Sequence, residues 1–304
     1  MAKQFLLASL ALVVAAATDD YTPVVAVVSH PYNSTHESIP ASYVKWLEMG
    51  GARATRMPYN ADKKLVETIV NNTDGLFFIG GSGLLPDSAK QAYSLITNLQ
   101  DDGTPYAIWG TCLGFQWLTQ LITDAGSPIL TSGYDSENLN LALNFTAAGK
   151  DSRLFNPKSD YTVVDLVGLL TENTVTINQH TFGVKPETME DVEGYNILST
   201  NEDREGKVFV SAFEHETRPL YGTQFHPEKN TFEYGCNSKG VPVEPTKHND
   251  AAIRHSFELS RFFGREVAKV RGDRWQAESG VEIIYKANKG IIENSYEEKY
   301  VFKI

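Results

Sequence analysis

The sequence is poor in the features that would assign it to several common classes. It has only two cysteines, Cys112 and Cys236, in 304 residues. That is too few for a disulfide-built scaffold, and neither has the Cys/His spacing of a zinc site, so no metal or cofactor is expected. A bridge between them would silence whichever thiol does chemistry, so both read as free. Basic clusters are absent and the formal charge is -11, which argues against a nucleic-acid surface. Internal repeats and low-complexity tracts are missing as well. The one long apolar run, Phe5 to Ala17, is too short to span a bilayer. With Lys3 before it and Ala15-Ala16-Ala17 at its end, it reads as a secretory signal over residues 1–17, leaving no membrane segment after its removal. Sequons at Asn33, Asn71 and Asn144 fit that route.

What remains has the pattern of a doubly wound α/β sheet. Val24 to Val28 is a continuous β-branched run, as in a parallel strand covered on both faces. Helical spacing from Ile39 to Met49 stops at Gly50-Gly51, and Arg53 to Tyr59 looks extended. Lys63 to Val70 fits a second helix, and Gly75 to Ile79 a strand opening into Gly80-Gly81-Ser82-Gly83. A helix from about Pro86 to Leu99 precedes the apolar strand that begins at Tyr106. Strand and helix thus alternate four times, which places a site at the carboxyl ends of parallel strands. The middle third is richer in short β segments, around Tyr161 to Val167, Thr174 to Ile177, Val208 to Phe213 and Leu220 to Phe225. No linker separates them, so they read as antiparallel additions to one domain over 18–304. Gly235 to Asn249 is a loop, and Asn249 or Asp250 caps a helix bearing Ile253, Phe257, Phe262 or Phe263 and Val267 on one face. From about Gly272 a C-terminal extension, with Ile283-Ile284-Tyr285 and Tyr300-Val301-Phe302, forms an edge hairpin or packs back on the domain.

Chemistry concentrates at Gly110-Thr111-Cys112-Leu113-Gly114, between an apolar strand and a helix bearing Leu113, Trp117, Leu118 and Leu121. A strand that becomes a helix this abruptly holds its central side chain at a tight corner, the geometry of a nucleophile elbow. Here that side chain is a thiol at the positive end of a helix, which suits a negative sulfur. A nucleophilic cysteine needs an imidazole, and the imidazole needs an acceptor to fix its tautomer. His226 follows the strand Leu220 to Phe225, and Glu228 projects to the same side because Pro227 keeps the backbone extended. An oxyanion hole requires two backbone N–H groups: Leu113 supplies one, and Gly80 or Gly81 the other.

Gly110 to Gln116 together with Gln224 to Glu228 resembles the class I glutamine amidotransferase superfamily. His226 to Asn230 after Tyr221 to Phe225 is similar to its γ-glutamyl hydrolase branch, as are Pro23 to His30, Phe78 to Ser82 and Thr176 to His180. The resemblance covers most of the mature chain. It implies a secreted, lysosomal or vacuolar cysteine-type omega peptidase that cuts γ-glutamyl bonds in folylpoly-γ-glutamates, and a homodimer. It also implies that His180 and Gln116 line or tune the substrate site. The acidic, aromatic tail departs from part of the family. Two rival functions share the motifs: a glutaminase feeding ammonia to a synthase, and a secreted binding protein on a silent scaffold. The signal sequence and the absence of a synthase domain speak against the first, and the intact Cys112, His226 and Glu228 against the second. A papain-type protease does not carry its nucleophile in such an elbow. The negative net charge opposes an anionic polyglutamate at long range, so either an acidic compartment or a local Arg/Lys pocket is expected to offset it.

Overall fold

The computed structural model describes residues 22–156, 164–270, 280–284, 291–293 and 296–304. The expected signal segment and Tyr285 lie outside them. In the first half, β1 (Val24–Val28) is followed by a hairpin of β2 (His30–Asn33) and β3 (His36–Pro40), then by α1 (Ala41–Met49). The chain continues through β4 (Arg53–Met57), α2 (Lys63–Asn71), β5 (Gly75–Phe78), α3 (Asp87–Asp101), β6 (Ala107–Thr111) and α4 (Leu113–Thr123). The middle contains β7 (Leu130–Ser132), β8 (Leu139–Leu141), β9 (Asn144–Phe145), α5 (Ala147–Lys150) and α6 (Leu166–Glu172). Next come β10 (Thr176–Asn178), β11 (Phe182–Val184), β12 (Tyr195–Glu202), β13 (Val208–His215) and β14 (Leu220–Thr223). After α7 (Lys229–Phe232) and α8 (Asp250–Lys269), β15 (Ile291–Glu293) and β16 (Tyr296–Lys303) complete the order.

The main sheet runs β4-β1-β5-β6-β14-β13-β12-β9. It is parallel from β4 to β14 and antiparallel beyond, as the composition of the two halves implies. From β1 the chain steps outward to β4 and then back across to β5, so strand order reverses between β1 and β5. In open α/β sheets the crevice at that reversal is where ligands bind. The register of β14 on β6 sets Thr223 beside Thr111. That single pairing explains how Cys112 and His226, far apart in sequence, reach the same rim.

Alternation along the strands divides the core into two layers. Val25, Val27, Phe77, Trp109 and Tyr221 meet Trp46 of α1 and Phe263 of α8. Ala26, Val28, Leu76, Phe78 and Ile108 face Val66, Ile69, Ala92, Ile96, Phe115 and Leu118 of α2, α3 and α4. Where α1 meets α8 the backbones almost touch: a Cβ on Gly264 would lie 1.9 Å from the Gly50 carbonyl oxygen.

Several local expectations need correction. The α1 helix begins at Ala41, because Ile39 and Pro40 belong to β3, whose backbone pairs with β16. Leu166 and Val167, expected in a β segment, open α6; Asp165 caps it by accepting the Gly168 N–H at 2.9 Å. Tyr161 to 163 lie outside the described residues. On α8, Asn249 is the cap, but Phe257 is exposed and Ile253 only partly buried. The buried residues include Ala252, His255, Ser256, Leu259 and Ser260, and both Phe262 and Phe263 are buried with Val267. Packing against α1 needs small polar residues there, since Trp46 Nε1 donates to the Ser256 carbonyl at 3.1 Å. At the C-terminus the hairpin partner of β16 is β15 rather than the Ile283-Ile284 segment, where Ile283 bridges Thr55, and β16 packs back on the domain by pairing residue by residue with β3.

Candidate active site

The elbow is built by two glycines. A Cβ at Gly114 would sit 1.9 Å from the Phe78 carbonyl oxygen, and one at Gly110 would sit 2.6 Å from the Gly114 oxygen. Without side chains at these positions, α4 starts directly on top of β5 and β6. Between them Cys112 has φ 52° and ψ -107°, a left-handed conformation that a side-chain-bearing residue adopts only when its surroundings impose it. The Cys112 N–H donates to Thr223 O at 2.9 Å, which locks the corner to the strand that leads to His226. The sulfur is nearly buried, at the cleft floor, 3.9 Å from the Gln179 carbonyl oxygen. Both cysteines are free thiols.

His226 and Glu228 are brought together as a buried pair. The His226 N–H donates to Ile177 O at 3.0 Å, and its Nδ1 lies 2.7 Å from Glu228 Oε1. An acceptor at Nδ1 leaves Nε2 available for proton transfer. Burial opposes a charged imidazole, yet the Glu228 carboxylate and the Cys112 sulfur outweigh it and push the His226 pKa up to about 10. Gly80 lies against both partners. A Cβ there would be 2.7 Å from His226 Cε1 and 3.2 Å from Cys112 Cβ.

Tyr43 completes the cluster. Its hydroxyl accepts the Gly80 N–H at 2.9 Å and lies 3.2 Å from His226 Nδ1, and burial with the nearby Glu228 charge keeps it a neutral phenol. Sequence reasoning misses it, because Tyr43 sits among the apolar positions of a helix and reads as core. The Gly80 N–H is therefore engaged away from the cleft, whereas Gly81, with φ 150°, lines it.

The cleft has a volume of about 450 Å³ and is walled by Ser82, Leu84, Cys112, Glu137, His180 and Phe182 among others. Leu113 and Gln116 also line it. Gln116 Nε2 donates to Phe182 O at 2.8 Å and to Gln224 Oε1 at 3.2 Å, so its amide braces the wall. His180 donates from Nδ1 to Phe182 O at 2.9 Å, and its Nε2 is 3.2 Å from Asn178 Oδ1. Burial lowers its pKa to about 3, so this imidazole is neutral. None of the lining residues is Lys or Arg, and Glu137 is the charged one. Of the two expectations, an acidic compartment or a local Arg/Lys pocket, the second is not met among the described residues of the cleft wall. The nearby Arg204 guanidinium instead braces the loop, bonding Asp135 Oδ1 at 2.7 Å and the Glu137 carbonyl at 2.9 Å.

Comparison with known proteins shows the family of the chain. The family described as "Glutamine amidotransferase class-I" matches residues 34–237. The chain is 34% identical to the Homo sapiens "Gamma-glutamyl hydrolase", over 87% of this chain and 82% of that protein. It is 32% identical to the Mus musculus "Gamma-glutamyl hydrolase", covering 87% and 83%. With "Gamma-glutamyl hydrolase B" of Dictyostelium discoideum the identity is 27%, covering 94% and 81%.

Proposed function

Because the chain belongs to the class-I glutamine amidotransferase family and, within it, to the γ-glutamyl hydrolases, we propose that it hydrolyses γ-glutamyl bonds of folylpoly-γ-glutamates through a Cys112 thioester. The observation that carries this reading is the strained Cys112 corner at the start of α4, set against an imidazole that Glu228 keeps protonated. The sulfur attacks the γ-carbonyl of the glutamyl linkage. Negative charge then develops on the carbonyl oxygen, beside the N–H groups of Leu113, free of helical partners at the first turn, and of Gly81. His226 gives its proton to the departing amine nitrogen, the C–N bond breaks, and the thioester remains. The same imidazole, now neutral, takes a proton from water, which attacks the thioester and releases Cys112. Glu228 and Tyr43 hold the ring through both steps, and His180 stays neutral as part of the wall.

The test compares γ-linked diglutamate, a folate carrying several γ-linked glutamates, and free glutamine as substrates of one preparation. The reading predicts release of glutamate or short γ-glutamyl peptides from the first two, with glutamine turned over far more slowly. Cys112→Ala should lower turnover by roughly 10⁴-fold or more while the thermal transition persists. Preference for glutamine would identify a glutaminase instead. We further propose passage through the secretory pathway to an extracellular, lysosomal or vacuolar destination. The apolar run Phe5 to Ala17 supports this, as do the exposed side chains of Asn33, Asn71 and Asn144. Glycosidase treatment of protein from a secreting host should reduce its apparent mass.

A further inference from the structure

Immediately after Glu228, Lys229 is almost wholly buried, at 2% exposure. Its ammonium bonds both oxygens of Glu244, at 2.8 and 2.7 Å. It also lies 4.5 Å from the ring centroid of Tyr296 on the last strand. Burial alone would discharge such a lysine. Tyr296 and Glu244 reverse that, so the group stays an ammonium next to Glu228. The strand carrying Tyr296 is anchored at both ends of this contact. The Glu297 N–H donates to Glu233 Oε2 at 2.8 Å, and the Tyr234 N–H donates to Glu297 Oε1 at 3.1 Å. On its other edge β16 pairs with β3, which leads directly into α1 and Tyr43. Three segments distant in sequence therefore converge behind the His226–Glu228 pair: the turn into α7, the loop around Glu244, and the C-terminal strand.

We propose that the C-terminal strand is part of the catalytic framework, with Lys229 and Tyr296 acting as positioning residues that hold Glu228 against His226. The inference rests on the Cys112–His226 chemistry proposed above and gives the tail a role within it. Glu228 has an Oε1 committed to His226 and a buried Oε2 with no hydrogen-bond partner among the described residues. Such a buried carboxylate needs a nearby positive charge to hold it in place. Among the described residues, the groups that interact with it are His226 and Lys229 from its own segment, Tyr43 from α1, Glu233 after α7, and Tyr296 from β16. Lys229 is the permanent cation among them. Tyr296 also faces Lys299, 5.7 Å from its ring centroid.

The experiment uses the full chain carrying Cys236→Ser, so that Cys112 is its sole thiol, with Lys229→Gln, Tyr296→Leu and Tyr296→Phe added singly. Two quantities are followed against pH: turnover of γ-linked diglutamate and the rate of Cys112 alkylation by iodoacetamide. Lys229→Gln should lower kcat roughly 10- to 100-fold with KM nearly unchanged, the loss expected for a misplaced catalytic group. It should also move the alkaline limb of the turnover profile to lower pH, because an imidazolium whose carboxylate partner is displaced loses its proton sooner. Tyr296→Leu should show the same shift at smaller amplitude, about threefold to tenfold in kcat, and Tyr296→Phe, which keeps the ring, should restore wild-type behaviour. If Lys229→Gln does not fold, the two Tyr296 variants decide. Folded variants with unchanged limbs and kcat would overturn the positioning role while leaving the nucleophile intact. A parent protein whose Cys112 alkylates no faster than an ordinary exposed thiol would overturn both readings.

Discussion

Two histidines of one rim, His226 and His180, are buried to nearly the same degree, yet they carry opposite charge states. His226 keeps its proton up to about pH 10, whereas His180 stays neutral down to about pH 3. Burial pulls both downward. The difference lies in the partner within reach: a Glu228 carboxylate oxygen 2.7 Å from one ring, and the neutral oxygens of Phe182 and Asn178 beside the other. One site can thus hold an imidazolium that moves protons and an imidazole that only shapes a wall. Position in the fold does not separate these roles; the neighbouring charge does.

The largest effect is expected from making His226 resemble His180. Glu228→Gln leaves burial as the main influence on the ring, which then loses its proton at lower pH. The alkaline limb of kcat/KM for γ-linked diglutamate should move down, and the rate at neutral pH should fall about 10²- to 10³-fold. Tyr43→Phe comes next. It removes the acceptor of the Gly80 N–H and a hydroxyl close to His226 Nδ1 without touching the carboxylate. A loss of about tenfold in kcat is expected, with the alkaline limb in place, as measured by steady-state kinetics.

The converse change gives His180 a charge of its own. Asn178→Asp places a carboxylate where Asn178 Oδ1 now lies, so the His180 titration seen by NMR should move from about 3 back toward the ordinary imidazole range. Turnover should change no more than about threefold, since wall residues act through shape. The smallest effect is on stability alone. Burial raises the Glu233 pKa from 4.5 to about 7. The folded state therefore binds more protons than the unfolded state between these values, and its stability falls as pH rises across that window and is level above it. Glu233→Gln removes the dependence. Thermal unfolding should show the variant gaining of order 1–3 kcal/mol over the parent at pH 8, with little difference at pH 4.5.

The same contrast governs how far the sequence could be read. Cys112 and His226 are visible because each ends a continuous apolar strand and is set off by glycine or proline, signals that need no tertiary information. The β2–β3 hairpin is hidden: His30 to Pro40 is polar and alternates poorly, and its strands exist because β16, more than 250 positions later, pairs along β3. Tyr43 and Tyr296 carry no local mark either, since their roles arise from groups that folding delivers. On α8, Phe257 looks like core by its spacing. The helix instead turns Ser256 and Ser260 inward, because Trp46 needs a close approach and a carbonyl partner.

The central claim is that Cys112 becomes acylated during turnover. Mixing the enzyme with γ-linked diglutamate, quenching in acid within one turnover and mapping peptides by mass spectrometry would test it directly. The account predicts a γ-glutamyl mass on the Cys112 peptide of the parent enzyme, absent from Cys112→Ala. Steady glutamate release with an unmodified Cys112, or an adduct at another residue, would contradict it.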